Sequence, residues 1–205
     1  MSVMAGGIER VLGGFRCAGC GALGSLLCPV CRARVGTPEG DLPEVPNVDS
    51  LVCPWAYEGA ARALILDLKV RGRRAAAGPL VDELVRAGPT VPPWGTTVTW
   101  VPGRRSDIRD RGFDHSELLA RGVAARLGLR RAPLLVRLVD TPDQTGLSAL
   151  ARRRNLSGAF AARPLGGRII VVDDVVTTGT TASTCARALK RRGAAEVTLL
   201  APCRA

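Results

Sequence analysis

Ile169 to Val172 form a continuous β-branched run, the pattern of a strand covered on both faces in a parallel sheet. Two carboxylates, Asp173 and Asp174, end the run, and Thr177-Thr-Gly-Thr-Thr181 follows as a turn. From Ala182 the apolar positions Ala182, Cys185, Ala186 and Leu189 recur at i, i+3, i+4, i+7, which is one face of a helix, and Gly193 closes it. Val197 to Leu200 restart an apolar run. The segment from Arg168 to Leu200 is therefore predicted to be a βαβ unit with a short, hydroxyl-rich first turn.

Upstream, helical stripes are predicted over Ala60 to Leu68 (Leu64, Ile65, Leu68), Pro79 to Arg86 (Leu80 and Leu84, Val81 and Val85) and Ser116 to Leu127 (Leu119, Val123, Leu127). Thr97 to Val101 reads as a strand running into Pro102-Gly-Arg-Arg105. Ser106 to Ser116 is polar and aperiodic and reads as a mobile loop, and Asp140 to Phe160 reads as a polar loop followed by a short basic helix. Strands alternating with helices predict an α/β fold, a mostly parallel sheet flanked by helices. Gly36 to Asn47, with Pro38, Pro43 and Pro46, is read as a linker. The expected organisation is a module over 1–36, a linker over 37–47 and a main domain over 48–205.

Composition adds a core and a charge. Of 205 residues, 46% are hydrophobic, enough for one ordinary domain plus a small module. The N-terminus lacks the unbroken apolar stretch of a signal peptide and no run reaches eighteen apolar residues, so no membrane span and a cytoplasmic location are expected. The net charge of +11 comes mostly from arginine, the only lysines being Lys69 and Lys190. Such a field attracts nucleic acid and small polyanions alike. Trp55, Trp94 and Trp100 are expected in core or rim packing, and Cys53, Cys185 and Cys203 as small buried hydrophobes.

Cys17-Ala-Gly-Cys20 and Cys28-Pro-Val-Cys31 are two Cys-x2-Cys knuckles, and four thiolates match a closed tetrahedral zinc site. Disulfide or redox readings lack an export signal and a βαβ context, respectively. Gly19 to Gly24 matches a dinucleotide-binding glycine pattern by letter, but it follows a metal ligand and opens no helix. So short an apolar-poor segment would need its metal to fold.

The turn after Asp174 carries the chemistry. Backbone N–H groups at a helix start converge where the dipole favours an anion, and Thr177, Thr178, Gly179, Thr180 and Thr181 fit a phosphate. Asp173 and Asp174 lie at the carboxyl end of a strand, where ligands of open α/β sheets bind. Ionised carboxylates only accept hydrogen bonds and suit the vicinal hydroxyls of a sugar. A phosphate and a diol held a few residues apart describe a ribose 5-phosphate.

Val171-Val-Asp-Asp-Val-Val-Thr-Thr-Gly-Thr-Thr181 resembles the phosphoribosyl pyrophosphate motif of type I phosphoribosyltransferases, and the whole chain resembles the ComF family of that fold. Lys69-Val-Arg-Gly72, Arg111-Gly-Phe113 and the spacing of Gln144, Leu147, Arg152, Asn155, Gly158 and Phe160 share that likeness. The resemblance implies a type I phosphoribosyltransferase fold preceded by a small four-cysteine zinc module. It also implies bound magnesium and phosphoribosyl pyrophosphate, transfer to an unidentified acceptor, and an association with DNA uptake. It would place Lys69 and Arg71 where substrate phosphates approach, against the plain reading of Lys69 to Arg74 as a solvated helix end favoured by its dipole.

Gly103 and Arg104 would form the pyrophosphate loop, with Arg109 and Arg111 closing over it. Three departures stand out. Val101-Pro-Gly-Arg104 replaces the usual Val-Pro-Val-Pro, Asp114-His115 replaces Asn-Gln, and Thr177 stands where purine salvage enzymes often place an acidic base, which points away from a simple purine-base acceptor. His115, the only histidine, is expected as an exposed or capping residue, with substrate contact as the alternative. Three readings remain open: a phosphoribosyltransferase, a non-catalytic sensor of the same ligand, and an accessory protein in DNA handling. Seven scattered aromatic residues lend a stacking surface for single strands little support.

Overall fold

The computed structural model describes residues 14–138 and 158–205. In chain order its elements are helix α1 (Pro29–Ala33), strands β1 (Ser50–Val52) and β2 (Trp55–Ala56), and helix α2 (Gly59–Lys69). A 3-10 turn (Arg74–Ala76) leads into α3 (Ala77–Ala87), followed by β3 (Thr96–Trp100), α4 (Arg105–Arg111) and α5 (His115–Leu127). Strands β4 (Arg130–Arg131), β5 (Leu135–Arg137), β6 (Phe160–Ala162), β7 (Arg168–Val172) and β8 (Val175–Val176) come next. Helix α6 (Thr180–Lys190), β9 (Glu196–Leu200) and β10 (Cys203–Arg204) complete the chain.

The main sheet has the order β1-β9-β7-β3-β4, and all its neighbours run parallel. A small parallel sheet, β2-β10-β8, stands beside it, and β5 pairs antiparallel with β6. The β7-α6-β9 unit is the βαβ predicted from the sequence. Alternate residues of a strand face opposite sides of a sheet, and β7 shows this directly. Ile170 and Val172 join one core with Leu64, Leu80, Leu84 and Leu119, from α2, α3 and α5. Ile169 and Val171 join a second core with Cys185, Ala186 and Leu189 of α6. Burying each such leucine contributes about 1.5–3 kcal/mol, so helices on both faces hold β7 and the carboxylates at its end in a fixed position.

The cysteine segment packs against this domain. Ala18, Leu26, Leu27 and Val35 lie on the first core, and Arg32 of α1 donates to Glu83 of α3 at 2.8 Å. Glu83 is only 1% exposed and is also held by Arg86. Burial alone would raise its pKa, but the two guanidiniums lower it.

Two expectations change here. Ser106 to Arg111 is not a loop but lies in α4, which buries none of its residues and so leaves no hydrophobic period to read. The helix is instead supported by Asp107 in its first turn, Arg109 and Arg111 in its last, and Gly112 at φ +77°, a left-handed cap suited to glycine. Trp94 is 76% exposed, whereas Trp55 and Trp100 are buried as expected. Cys53, Cys185 and Cys203 are buried too. The segment from Asp140 to Ser157 lies outside the described residues. No helix among the described residues is long and apolar enough to cross a membrane.

Candidate functional site

Asp173 and Asp174 emerge from the carboxyl end of β7, and three helices meet them. The Asp173 amide donates to Leu200 O at 3.0 Å, which carries the backbone of the pair one step past the strands. Asp173 Oδ1 accepts from the Asp174 amide at 2.9 Å and from Ser116 Oγ, in the first turn of α5, at 3.2 Å. Asp174 Oδ1 accepts from the Val175 amide at 2.8 Å. Asp174 Oδ2 is fully enclosed, with Lys69 Nζ at 2.8 Å and His115 Nε2 at 3.1 Å, both off the line of a directed hydrogen bond.

The two carboxyls are driven apart electrostatically. Burial, and next the charge of Asp174, push Asp173 up to about 7. Burial acts on Asp174 in the same sense, but His115 and Lys69 outweigh it and hold Asp174 far below the ordinary carboxylate range. The charge of Asp174 in turn raises the pKa of Lys69. One ionised carboxylate between the Lys69 ammonium and the His115 ring, next to one poised near neutrality, is the stable arrangement for adjacent acids.

His115 is neither exposed nor the cap of its helix. It is 8% exposed, and the cap is Asp114, whose Oδ1 accepts from the amides of Ser116 at 3.0 Å and Glu117 at 3.4 Å. Arg111 Nη1 lies 2.6 Å from His115 Nδ1. A guanidinium can only donate, so Nδ1 accepts and the ring proton sits on Nε2, facing Asp174. Burial opposes protonation of the ring, yet the charge of Asp174 and their contact raise its pKa. Protonation would make Nδ1 a donor and break the Arg111 contact, so Asp174 and Arg111 pull the ring in opposite senses.

The threonine turn opens α6. Thr177 and Thr178 are exposed, Gly179 is the N-cap at φ +70°, and Thr180 and Thr181 form the first turn. Thr178 Oγ1 and Thr180 Oγ1 are 2.8 Å apart. Gly179 admits no side chain, since a Cβ there would stand 2.6 Å from Val45 Cγ2. First-turn N–H groups of an eleven-residue helix, ringed by hydroxyls and placed beside the carboxylate pair, are chemically suited to an anion.

The remaining predicted residues divide. Lys69 reaches the carboxylates directly and Arg111 does so through His115. Arg71 turns back onto Asp67 at 2.5 Å, and Arg109 lies exposed on α4. The Gly103 amide donates to Asp114 Oδ2 at 2.9 Å, and Arg104 is the N-cap residue of α4. Sequence reasoning missed Ser116 and Asp114 as partners of the site and held contact for His115 only as the alternative. The signal available was Asp114-x-x-Glu117, a capping pattern that starts α5 one residue earlier and turns His115 and Ser116 towards β7.

The four cysteines form a second constellation. Cys17, Cys20, Cys28 and Cys31 bring their sulfurs within 4.8 Å of one another, with Cys20 and Cys28 at 3.8 Å. A tetrahedral zinc with bonds of about 2.3 Å requires sulfur separations of about 3.8 Å. Burial opposes ionisation of Cys17, but the amides of Cys28, Cys20 and Gly19 bring its pKa down to about 6. The hydrogen bond to Cys28, and then burial, push Cys31 up to about 12. Several thiolates this close need a cation between them, so the group fits a metal such as zinc.

Residues 114–205 match the phosphoribosyl transferase domain. DNA utilization protein YhgH of Salmonella typhi is 37% identical over 148 residues, covering 71% of this chain and 59% of that protein. Competence protein F of Haemophilus influenzae is 33% identical over 93 residues, covering 42% of this chain and 41% of that protein. The chain thus spans about 59% of the length of the YhgH protein it matches. Among solved structures, the allosteric regulatory enzyme of purine biosynthesis has a TM-score of 0.45 at 23% identity, covering 63% of this chain and 26% of that one.

Proposed function

We propose, from the premise that this chain carries a phosphoribosyl transferase domain and is a homologue of the ComF family, that it binds phosphoribosyl pyrophosphate with magnesium and transfers the phosphoribosyl group to an acceptor. The observation that carries the reading is the placement of Asp173 and Asp174 at the end of β7, a short turn before the Gly179–Thr181 helix start. In this reading the 5-phosphate sits on Thr177, Thr178, Gly179, Thr180 and Thr181, and the ribose diol on Asp173 and Asp174. Gly103, Arg104, Arg109, Arg111, Lys69 and Arg71 receive the pyrophosphate.

The acceptor attacks the anomeric carbon as the bond to pyrophosphate breaks, and the bonding pair leaves with pyrophosphate. Positive charge grows on the sugar in that step, where the Asp173 and Asp174 carboxyls lie close beneath it. Magnesium bound with the substrate would supply positive charge to the leaving pyrophosphate, beside the Arg104, Arg109 and Lys69 side chains. Lys69, released from Asp174 by the incoming diol, supplies a further cation at that end. The acceptor must satisfy one further requirement, since hydrolysis competes with transfer and water has to be kept from the anomeric carbon.

The test is thermal denaturation with magnesium. Phosphoribosyl pyrophosphate is expected to raise Tm, and Asp173→Asn with Asp174→Asn to abolish the shift; equal shifts in both proteins would refute the assignment. A screen of bases and amines for pyrophosphate release separates transfer from sensing, because release no faster than hydrolysis favours the sensor. Cys17, Cys20, Cys28 and Cys31 hold a structural zinc in this account, so elemental analysis should find about one metal per chain.

A second reading, an accessory role in DNA use, is favoured by the names of the relatives and by the +11 charge. Binding of single strands that survives physiological salt supports it, whereas binding at low salt alone reflects only the charge.

A further inference from the structure

A cavity of about 550 Å³ lies beside the carboxylate site; neither Asp173, Asp174 nor the threonine turn lines it, and of the residues assigned above to the ligand only Gly103 does. It sits where the end of β3, α4, α5 and β5 meet, and its volume falls within the range of small-molecule sites. The corner between α4 and α5 separates the two places. Asp114 lines the cavity, and the next residue, His115, touches Asp174.

The wall chemistry is of two kinds. Trp100, Ile108, Phe113, Leu118 and Leu135 make an apolar interior, with two aromatic rings among them. Four arginines from four separate elements, Arg74, Arg105, Arg121 and Arg137, surround it. Arg74 and Arg137 each donate to a backbone carbonyl. Arg74 Nη2 donates to Gly112 O at 3.1 Å and its guanidinium lies over the Phe113 ring at 4.8 Å. Arg137 Nε donates to Pro102 O at 2.9 Å and lies over Phe160 at 4.6 Å.

Two carboxylates also line the cavity, and both are engaged. Glu117 is paired with Arg131 at 2.6 Å, and Asp114 holds the Gly103 amide and the start of α5. Among the described residues the cavity is therefore apolar within and cationic around its edge. Guanidiniums held in plane match carboxylate and phosphate oxygens two at a time.

We infer that this cavity is a second binding site, which takes a planar aromatic ring carrying an anionic group, the chemistry of a nucleoside monophosphate. The ring stacks within the apolar interior and the phosphate meets the guanidiniums. Such a ligand is either a free nucleotide or the phosphorylated end of a strand. The site stands on its own geometry and does not depend on the proposed transfer reaction.

The test is calorimetric titration of the full chain with adenosine 5′-monophosphate. A nucleotide can also enter the threonine turn, so the titration is run in the Asp173→Asn, Asp174→Asn variant and in wild type saturated with phosphoribosyl pyrophosphate and magnesium. Binding is expected to persist in both. Adenosine and inorganic phosphate, each offering half of the chemistry, are expected to bind at least tenfold more weakly.

Arg121→Ser, at an exposed position of α5, and Val136→Trp, which fills the cavity from β5, should each weaken binding tenfold or more while phosphoribosyl pyrophosphate affinity is unchanged. Unchanged Tm values in these two variants show that the fold is intact. A 5′-phosphorylated dinucleotide that binds as well as the mononucleotide assigns the site to strand ends, and one that binds tenfold worse assigns it to free nucleotides. Binding that is blocked by phosphoribosyl pyrophosphate and indifferent to Arg121→Ser and Val136→Trp would overturn the inference, as would no binding at millimolar nucleotide.

Discussion

Asp173→Asn is expected to stabilise the ligand-free protein above neutral pH while abolishing ligand binding. The Asp173 carboxyl has its pKa raised from 3.8 to about 7, by burial first and by Asp174 second. Below pH 3.8 it is protonated in folded and unfolded chains alike and has no effect on stability. Between 3.8 and about 7 the unfolded chain releases the proton while the folded chain keeps it, so stability falls as pH rises, and above 7 the loss is complete. The interval corresponds to about 4 kcal/mol, and since the residue is only half-buried, screening reduces this to about 2 kcal/mol.

Asparagine keeps Oδ1, and with it acceptance from the Asp174 amide and Ser116 Oγ, and carries no charge. Urea denaturation of the two proteins at pH 4 and pH 8.5 is the assay. The variant should match wild type at pH 4 and exceed it by about 2 kcal/mol at pH 8.5. A variant destabilised equally at both pH values would show that Asp173 contributes packing and hydrogen bonds rather than a strained charge.

Three further predictions concern the surroundings of the pair. Lys69→Met leaves the His115 ring as the remaining partner of Asp174 Oδ2; because the lysine side chain is 45% exposed, the loss is about 1–2 kcal/mol at pH 7 by urea denaturation, and no loss would mean the contact is idle. Glu83→Gln removes the buried charge that joins Arg32 of the cysteine segment to Arg86 of α3. It should lower stability by about 2–4 kcal/mol and speed reaction of the Cys17 and Cys31 thiols with a thiol reagent in chelator, and wild-type values of both would contradict the proposed anchoring. Gly179→Ala forces a side chain into a left-handed conformation and against Val45. It should cost about 1–2 kcal/mol and weaken phosphoribosyl pyrophosphate binding in calorimetry, and wild-type affinity would place the phosphate elsewhere.

The three central strands β3, β7 and β9 were legible because they are buried on both faces, whereas the edge strands β1 and β4 are partly or wholly exposed and were not. Ile169 to Val172 could scarcely be read otherwise, and the α6 stripe of Ala182, Cys185, Ala186 and Leu189 is buried as its spacing requires. The two aspartates and the threonine turn are local in sequence, so their neighbourhood was legible too. The partners of Asp174 were not. Lys69 and His115 reach it from the end of α2 and the start of α5, and nothing in local periodicity tells which helix ends converge on one oxygen.

Helix α4 was illegible for a different reason. All seven of its residues remain outside the core, so the hydrophobic pattern that reveals helices is absent there. The strands β2, β8 and β10, each of two residues, are too short for any alternation to register.

The central claim is a ligand with a phosphate at each end of a ribose. Calorimetric titration with magnesium, comparing phosphoribosyl pyrophosphate with ribose 5-phosphate and with pyrophosphate alone, tests it most directly. Phosphoribosyl pyrophosphate should bind at least tenfold more tightly than either fragment in wild type, with the advantage lost in Asp173→Asn, Asp174→Asn. Equal affinity for ribose 5-phosphate and phosphoribosyl pyrophosphate would show that nothing receives the pyrophosphate and would contradict the account.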